Sequence, residues 1–182
     1  MLLPLLSLLS GLYANSLGAN PVEYALRFVG EWSLRILVIA LLISPLSRLL
    51  KWAQLLQLRR MLGLYVFFYA TLHLLCYLIF EQAIDVSSIL ADIWERPFIT
   101  VGFAAFLTLL PLAITSTRSK MRQMGKRWKL LHRFVYLAVI LSVIHFWWLV
   151  KADVSEPIVY ASLTTIALLE RVWQWAKSKK QA

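Results

Sequence analysis

Long apolar runs separated by short polar ones organise this chain from end to end. The runs Leu2–Leu17, Ser33–Leu49, Met61–Phe80, Phe98–Thr115, Phe134–Val150 and Ile158–Trp175 each approach the roughly 20 apolar residues that a helix needs to cross a bilayer. No strand-period alternation or internal repeat stands out, and no low-complexity linker divides the chain. Punctuation falls between the runs. It comprises Gly18 to Pro21 after the first, Pro45 closing the second, Pro97 opening the fourth and Pro157 opening the sixth. The pattern predicts an all-α polytopic membrane protein. It would form a single domain over residues 1–182, a bundle of six transmembrane helices, with residues 176–182 as a short basic tail. The first run is short for a span and no basic residue precedes it, so a cleaved signal and a start assigned too late are further readings of it.

Composition sharpens this picture. Of 182 residues, 60% are hydrophobic, and the mean hydropathy is +0.71. Soluble domains are roughly 45–50% apolar. A single cysteine, Cys76, excludes an internal disulfide and a multi-cysteine metal cluster. The net charge of +10 raises nucleic acid as a partner, but its placement argues against one.

Arg48, Lys51, Arg59 and Arg60 lie between the second and third runs, with no acid among them. Arg118, Lys120, Arg122, Lys126, Arg127, Lys129 and Arg133 lie between the fourth and fifth, and Lys177, Lys179 and Lys180 close the chain. The remaining connections hold the acids: Glu23 and Glu31, then Glu81, Asp85, Asp92 and Glu95, then Asp153 and Glu156. By the positive-inside rule the basic loops are cytoplasmic, both termini face the cytoplasm, and the acidic loops face outward. Setting topology accounts for most of this charge, and binding of an anionic cofactor or partner is compatible with it.

The chain has three histidines. His73 lies thirteen residues beyond Arg60 and His145 twelve beyond Arg133. At 1.5 Å per residue, both sit about 18–20 Å in from the cytoplasmic side. Charge placement fixes the topology without reference to them, so their shared level needs a cause. Buried imidazole is costly without a partner, and intramembrane ionisable groups usually mark function. One reading bonds each ring to a neighbouring carbonyl or hydroxyl. Another places the two rings on either side of one haem iron, which leaves no open coordination position and suits electron transfer. Two histidines alone make a poor zinc cage, and a proton relay would more often use a membrane carboxylate, absent at that level.

His132, at the cytoplasmic edge, is either an interfacial residue or a ligand or neighbour for a second redox group. The third run offers only Arg59 and Arg60 at that depth. Tyr65, Tyr69, Phe134, Tyr136, Phe146, Trp147 and Trp148 either wall a porphyrin or belong to packing and the aromatic belt. Arg35 and Lys151 reach a propionate or snorkel, and Cys76 acts as a small hydrophobe.

Several stretches carry a resemblance: LGANPVEYALRFVGEWSLRIL, LLISPLSRL, LRRMLGLYVFFYATLHLLCYL, and above all GKRWKLLHRFVYL after TSTRS. Nearly the whole chain resembles the MsrQ (YedZ) family, and more broadly the ferric reductase-like transmembrane domain. The resemblance implies a b-type haem, one or two copies, in a six-helix bundle of the bacterial inner membrane. FMN is also associated with the family. The implied role is an electron-transfer subunit rather than the catalytic one. It would carry electrons from quinol or a flavin reductase to a periplasmic molybdopterin methionine sulfoxide reductase, an MsrP-like partner that repairs oxidised proteins. The family's haem histidines fall on His73, His145 and His132. A stand-alone ferric or oxygen reductase of the same fold, and a haem-free membrane scaffold or transporter, are the rival readings. With no nucleotide-binding glycine fingerprint and no length for a dehydrogenase domain, NADPH oxidation by this subunit alone is not expected.

Overall fold

The computed structural model describes residues 1–150 and 153–180, so Lys151 lies outside the described residues. Among them every regular element is helical. Nine α-helices run in order: α1 (Leu3–Tyr13), α2 (Pro21–Leu49), α3 (Leu58–Cys76), α4 (Val86–Glu95), α5 (Pro97–Ile114), α6 (Arg118–Met124), α7 (Lys126–Leu131), α8 (Phe134–Leu149) and α9 (Ser155–Lys180). A 3-10 turn, Ala53–Gln57, leads into α3, and a π-helical turn, Tyr77–Glu81, ends it.

Among the described residues, three stretches are long and apolar enough to cross a membrane: Ala53–Glu81, Pro97–Ile114 and Lys126–Leu149. Only 17%, 22% and 11% of their apolar windows are buried inside the protein. Leu64, Phe68, Leu107, Ile140 and Trp147 point outward from them. Soluble monomers rarely expose continuous apolar faces of this extent, and hydrocarbon is the solvent these faces fit.

The core is built around α2. Leu34, Ile36, Leu37, Val38, Leu41 and Ile43 are buried on several sides of this helix. Helix α3 packs along α2, and α8 along α5, in the two most extensive pairings, while α9 bridges α2 and α8.

Helix α2 begins twelve residues before the apolar run that announced it. Asn20 caps it by accepting the Glu23 N–H at 3.1 Å, while its amide donates to the Glu23 carboxylate at 3.2 Å. Pro21 in the first turn lacks an N–H that would have had no partner. The charges beyond it pair one turn apart, Arg27 with Glu23 and Arg35 with Glu31, each at 2.8 Å, so the helix continues through them.

Pro45 does not close this helix, which runs to Leu49. A proline removes one ladder bond, and the burial of Ile43, Ser44 and Ser47 around it holds the turn. Pro97 does open α5, whereas α9 starts two residues before Pro157. Helix α1 has 11 residues, about 16 Å and roughly half the hydrocarbon thickness. Helices α4, α6 and α7 occupy connections read from the sequence as loops. The break between α6 and α7 is Gly125, whose φ of 52° with ψ −120° only glycine adopts readily.

Candidate functional site

His73 sits near the end of α3 and His145 near the end of α8. The fold brings their imidazoles to 6.1 Å between ring centres, with the planes at 77°. Each ring is anchored from behind. His73 Nδ1 lies 2.9 Å from the Leu26 carbonyl oxygen on α2, and His145 Nδ1 lies 2.6 Å from the Phe98 carbonyl oxygen on α5. A carbonyl can only accept, so Nδ1 carries the proton in both rings and donates it. The Nε2 atom of each neutral ring therefore keeps its lone pair, the form a metal takes.

Two glycines make this approach possible. A Cβ on Gly30 would stand 2.8 Å from His73 Nδ1, and one on Gly102 would stand 2.9 Å from both Nδ1 and Cε1 of His145. Both contacts are closer than real Cβ atoms come, so any side chain there would displace the ring. Reading the sequence for donors missed these glycines, because neither carries a reactive group. The signal that would have found them is their common spacing, 43 residues ahead of each histidine.

The geometry fits one iron between the rings. A metal–imidazole bond is about 2 Å, and each ring adds about 1 Å from nitrogen to centre, so an iron shared by both needs about 6 Å between centres. No group of three or more His, Cys, Asp and Glu residues that could hold a metal occurs among the described residues. The donor set is thus two imidazoles, which suits a metal whose remaining ligands come from a macrocycle.

His132 is not brought to this pair. It caps the end of α7, thirteen residues and about 20 Å along the chain axis from His145. Its ring stacks on Trp128 at 3.9 Å, and its Nε2 lies 3.2 Å from Thr115 Oγ1. The Thr115 hydroxyl donates its only proton to the Pro111 carbonyl at 2.6 Å. Toward His132 it therefore accepts, which puts the proton on Nε2 and leaves Nδ1 as the free lone pair.

Of the aromatic candidates, Phe134, Trp147 and Trp148 face outward. Tyr69 is fully buried and donates to the Met1 carbonyl at 2.9 Å. Phe146 lies edge-on to Tyr160. Besides the His73 ring, the aromatic ring packed against His145 is Phe98, at 6.3 Å. Arg35 is engaged by Glu31 and by the Tyr160 hydroxyl at 3.0 Å, and Cys76 is a free, half-buried thiol.

Beyond His73, one turn further, Tyr77 donates to Asp92 at 3.1 Å. Asp92 also receives Gln82 at 2.5 Å and Arg96 at 3.2 Å. This buried carboxylate ties the π-helical turn to α4 and to the start of α5.

Residues 29–143 match the family model described as "Ferric reductase like transmembrane component". Among curated proteins, a relative from Herminiimonas arsenicoxydans is 48% identical over 170 residues, covering 91% of this chain and 78% of its own. One from Azospira oryzae is 52% identical over 173 residues, covering 94% and 74%. One from Xanthomonas axonopodis pv. citri is 48% identical over 161 residues, covering 88% and 74%. Each of the three is named a protein-methionine-sulfoxide reductase heme-binding subunit, MsrQ. No solved structure matches the chain. By its matched domain and by the length over which it follows these relatives, the chain belongs to the MsrQ family, within the ferric reductase-like transmembrane proteins.

Proposed function

We propose that this chain is the haem-binding, electron-transferring membrane subunit of a protein-methionine-sulfoxide reductase system. His73 and His145 would hold one b-type haem through their Nε2 atoms. The observation that carries this reading is the pair itself: two imidazoles 6.1 Å apart, each tied through Nδ1 to a carbonyl on another helix. Held by an imidazole from each of two helices, the haem would supply a one-electron carrier, which favours electron transfer over oxygen or substrate binding.

In this reading the helices cross the bacterial inner membrane six times, with α1 contributing only part of its crossing and both termini in the cytoplasm. The basic connections at one end and acidic ones at the other support this orientation. Electrons would arrive from the quinone pool or a flavin-linked donor and leave to a periplasmic molybdopterin methionine sulfoxide reductase docked at the acidic loops. The basic cytoplasmic loops suit the phosphate of FMN, and the free Nδ1 of His132 offers a ligand to a second redox group nearby.

The test is the reduced-minus-oxidised visible spectrum of the purified protein, with its haem-to-protein ratio, beside His73→Ala, His145→Ala and His132→Ala. A low-spin b-type spectrum that collapses in the first two variants supports the proposal. Four colourless proteins, or four identical spectra, would refute it. A change confined to one component in the His132 variant would place a second site there.

A further inference from the structure

We propose that Gly30 and Gly102, at equivalent places of an internal repeat, are positioning residues for the two imidazoles, paired notches that let each histidine reach a carbonyl on the neighbouring helix. The inference rests on the haem reading above and adds to it what sets the ligands.

The repeat is a shift of 72 residues, the step from His73 to His145. Under it Leu26 becomes Phe98 and Gly30 becomes Gly102, so carbonyl, glycine and imidazole recur at the same spacings. The acceptor lies four residues before the glycine in each case, one turn away on the same helix face. Val29 and Val101, Leu37 and Leu109, Ser44 and Ser116, and Leu58 and Leu130 are identical pairs under this shift. Val66 falls on Ala138, and both are wholly inaccessible. The two most extensive helix pairings, α2 with α3 and α5 with α8, are the same pairing in each copy. Few positions kept their identity, and for that reason no repeat stood out in the sequence.

Each glycine therefore acts through its histidine. A methyl group at either position must push the ring back, since the gap is 2.8–2.9 Å. That lengthens or bends the Nδ1–H···O=C bond. Such a bond raises the basicity of a ligating imidazole, and a more basic axial ligand favours the ferric state. Weakening it therefore raises the midpoint potential, hydrogen bonding around the ligands being one of the levers on potential.

The experiment uses the full, haem-loaded chain as Gly30→Ala, Gly102→Ala and Gly63→Ala. Gly63 is the control, because a Cβ there meets nothing within 4 Å. Redox potentiometry and low-temperature EPR are read with haem content. The midpoint should rise and the largest ferric g-value should move in both notch variants, while Gly63→Ala keeps the wild-type values. Haem-loaded notch variants with wild-type potential and g-value overturn the proposal while leaving the haem reading intact. A wild type without haem overturns both. If a notch variant fails to fold, ENDOR on the 15N-histidine-labelled wild type decides. Two protonated remote Nδ1 atoms are expected, and iron bound through Nδ1 on either ring overturns the notch.

Discussion

The imidazoles of His73 and His145 stand nearly perpendicular to one another, at 77°, because each is oriented by a carbonyl on a different helix pair. If these two rings hold the proposed haem, their crossed planes would bring the iron d-orbitals that host the unpaired electron close in energy. The ferric protein should then show a highly anisotropic low-spin EPR signal with one dominant low-field feature. A spectrum with three well-resolved g-values, the mark of near-parallel rings, would contradict this arrangement.

Thr115→Val removes the hydroxyl that accepts from His132 and donates to Pro111. The loss should destabilise the protein by about 1 kcal/mol, the typical net worth of one such bond. Thermal unfolding in detergent reads it. The spectrum of the haem proposed at His73 and His145 should not change, since Thr115 lies at the far end of α5 from Phe98.

Arg48 on α2 and Glu170 on α9 pair at the basic end of the bundle, and Arg59 and Arg171 line the same cavity as Glu170. Glu170→Gln removes the carboxylate that pairs with Arg48 and, among the described residues, the one negative charge lining this cavity. We expect a destabilisation of about 0.5–1 kcal/mol at low salt, given the partial exposure of the pair. Most of it should vanish near 1 M salt, where the screening length is about 3 Å. Unfolding midpoints at two ionic strengths measure this, and a salt-independent loss would assign the effect to packing.

Asp85 caps α4, and the hydroxyls of Ser88 and then Ser87 hold its carboxyl below the usual carboxylate range. A lowered folded pKa contributes stability that is present above the unfolded value, about 3.9, and fades as pH falls through the folded value. Protection of the Ser87 and Ser88 amides against hydrogen exchange, corrected for intrinsic rate, should therefore drop in acid. Asp85→Asn should show no acid step, and a step that persists would point to another carboxyl.

Hydropathy located the α3, α5 and α8 helices within a few residues, because their apolar runs are uninterrupted. It misplaced the start of α2, where Glu23, Arg27 and Glu31 look like a loop until Arg27 pairs back to Glu23 and Glu31 pairs with Arg35 inside the run. Its run ended at Leu49, where the helix does end; the reading of Pro45 as closing punctuation was the error, because the missing ladder bond is outweighed by the burial around it. Helix α4 depends on a local cap at Asp85, invisible to an apolar window. The histidines were legible as rare polar residues at one depth. Their anchors were not, because a backbone carbonyl has no letter in the sequence and a glycine reads as a gap rather than as a fitted surface.

The two anchors are not equally sheltered. Leu26 lies six residues inside α2, whereas Phe98 is the second residue of α5. The first turn of α5 is pinned to α4 by the Thr100 hydroxyl on the Ile93 carbonyl and by the Asp92 cluster. A single peptide group thus joins the connection between α4 and α5 to the His145 ring. Anything that leans on that connection bears on the orientation of the His145 ring and not on that of His73, so the His145 ring acts as a gauge of what touches that end of the bundle.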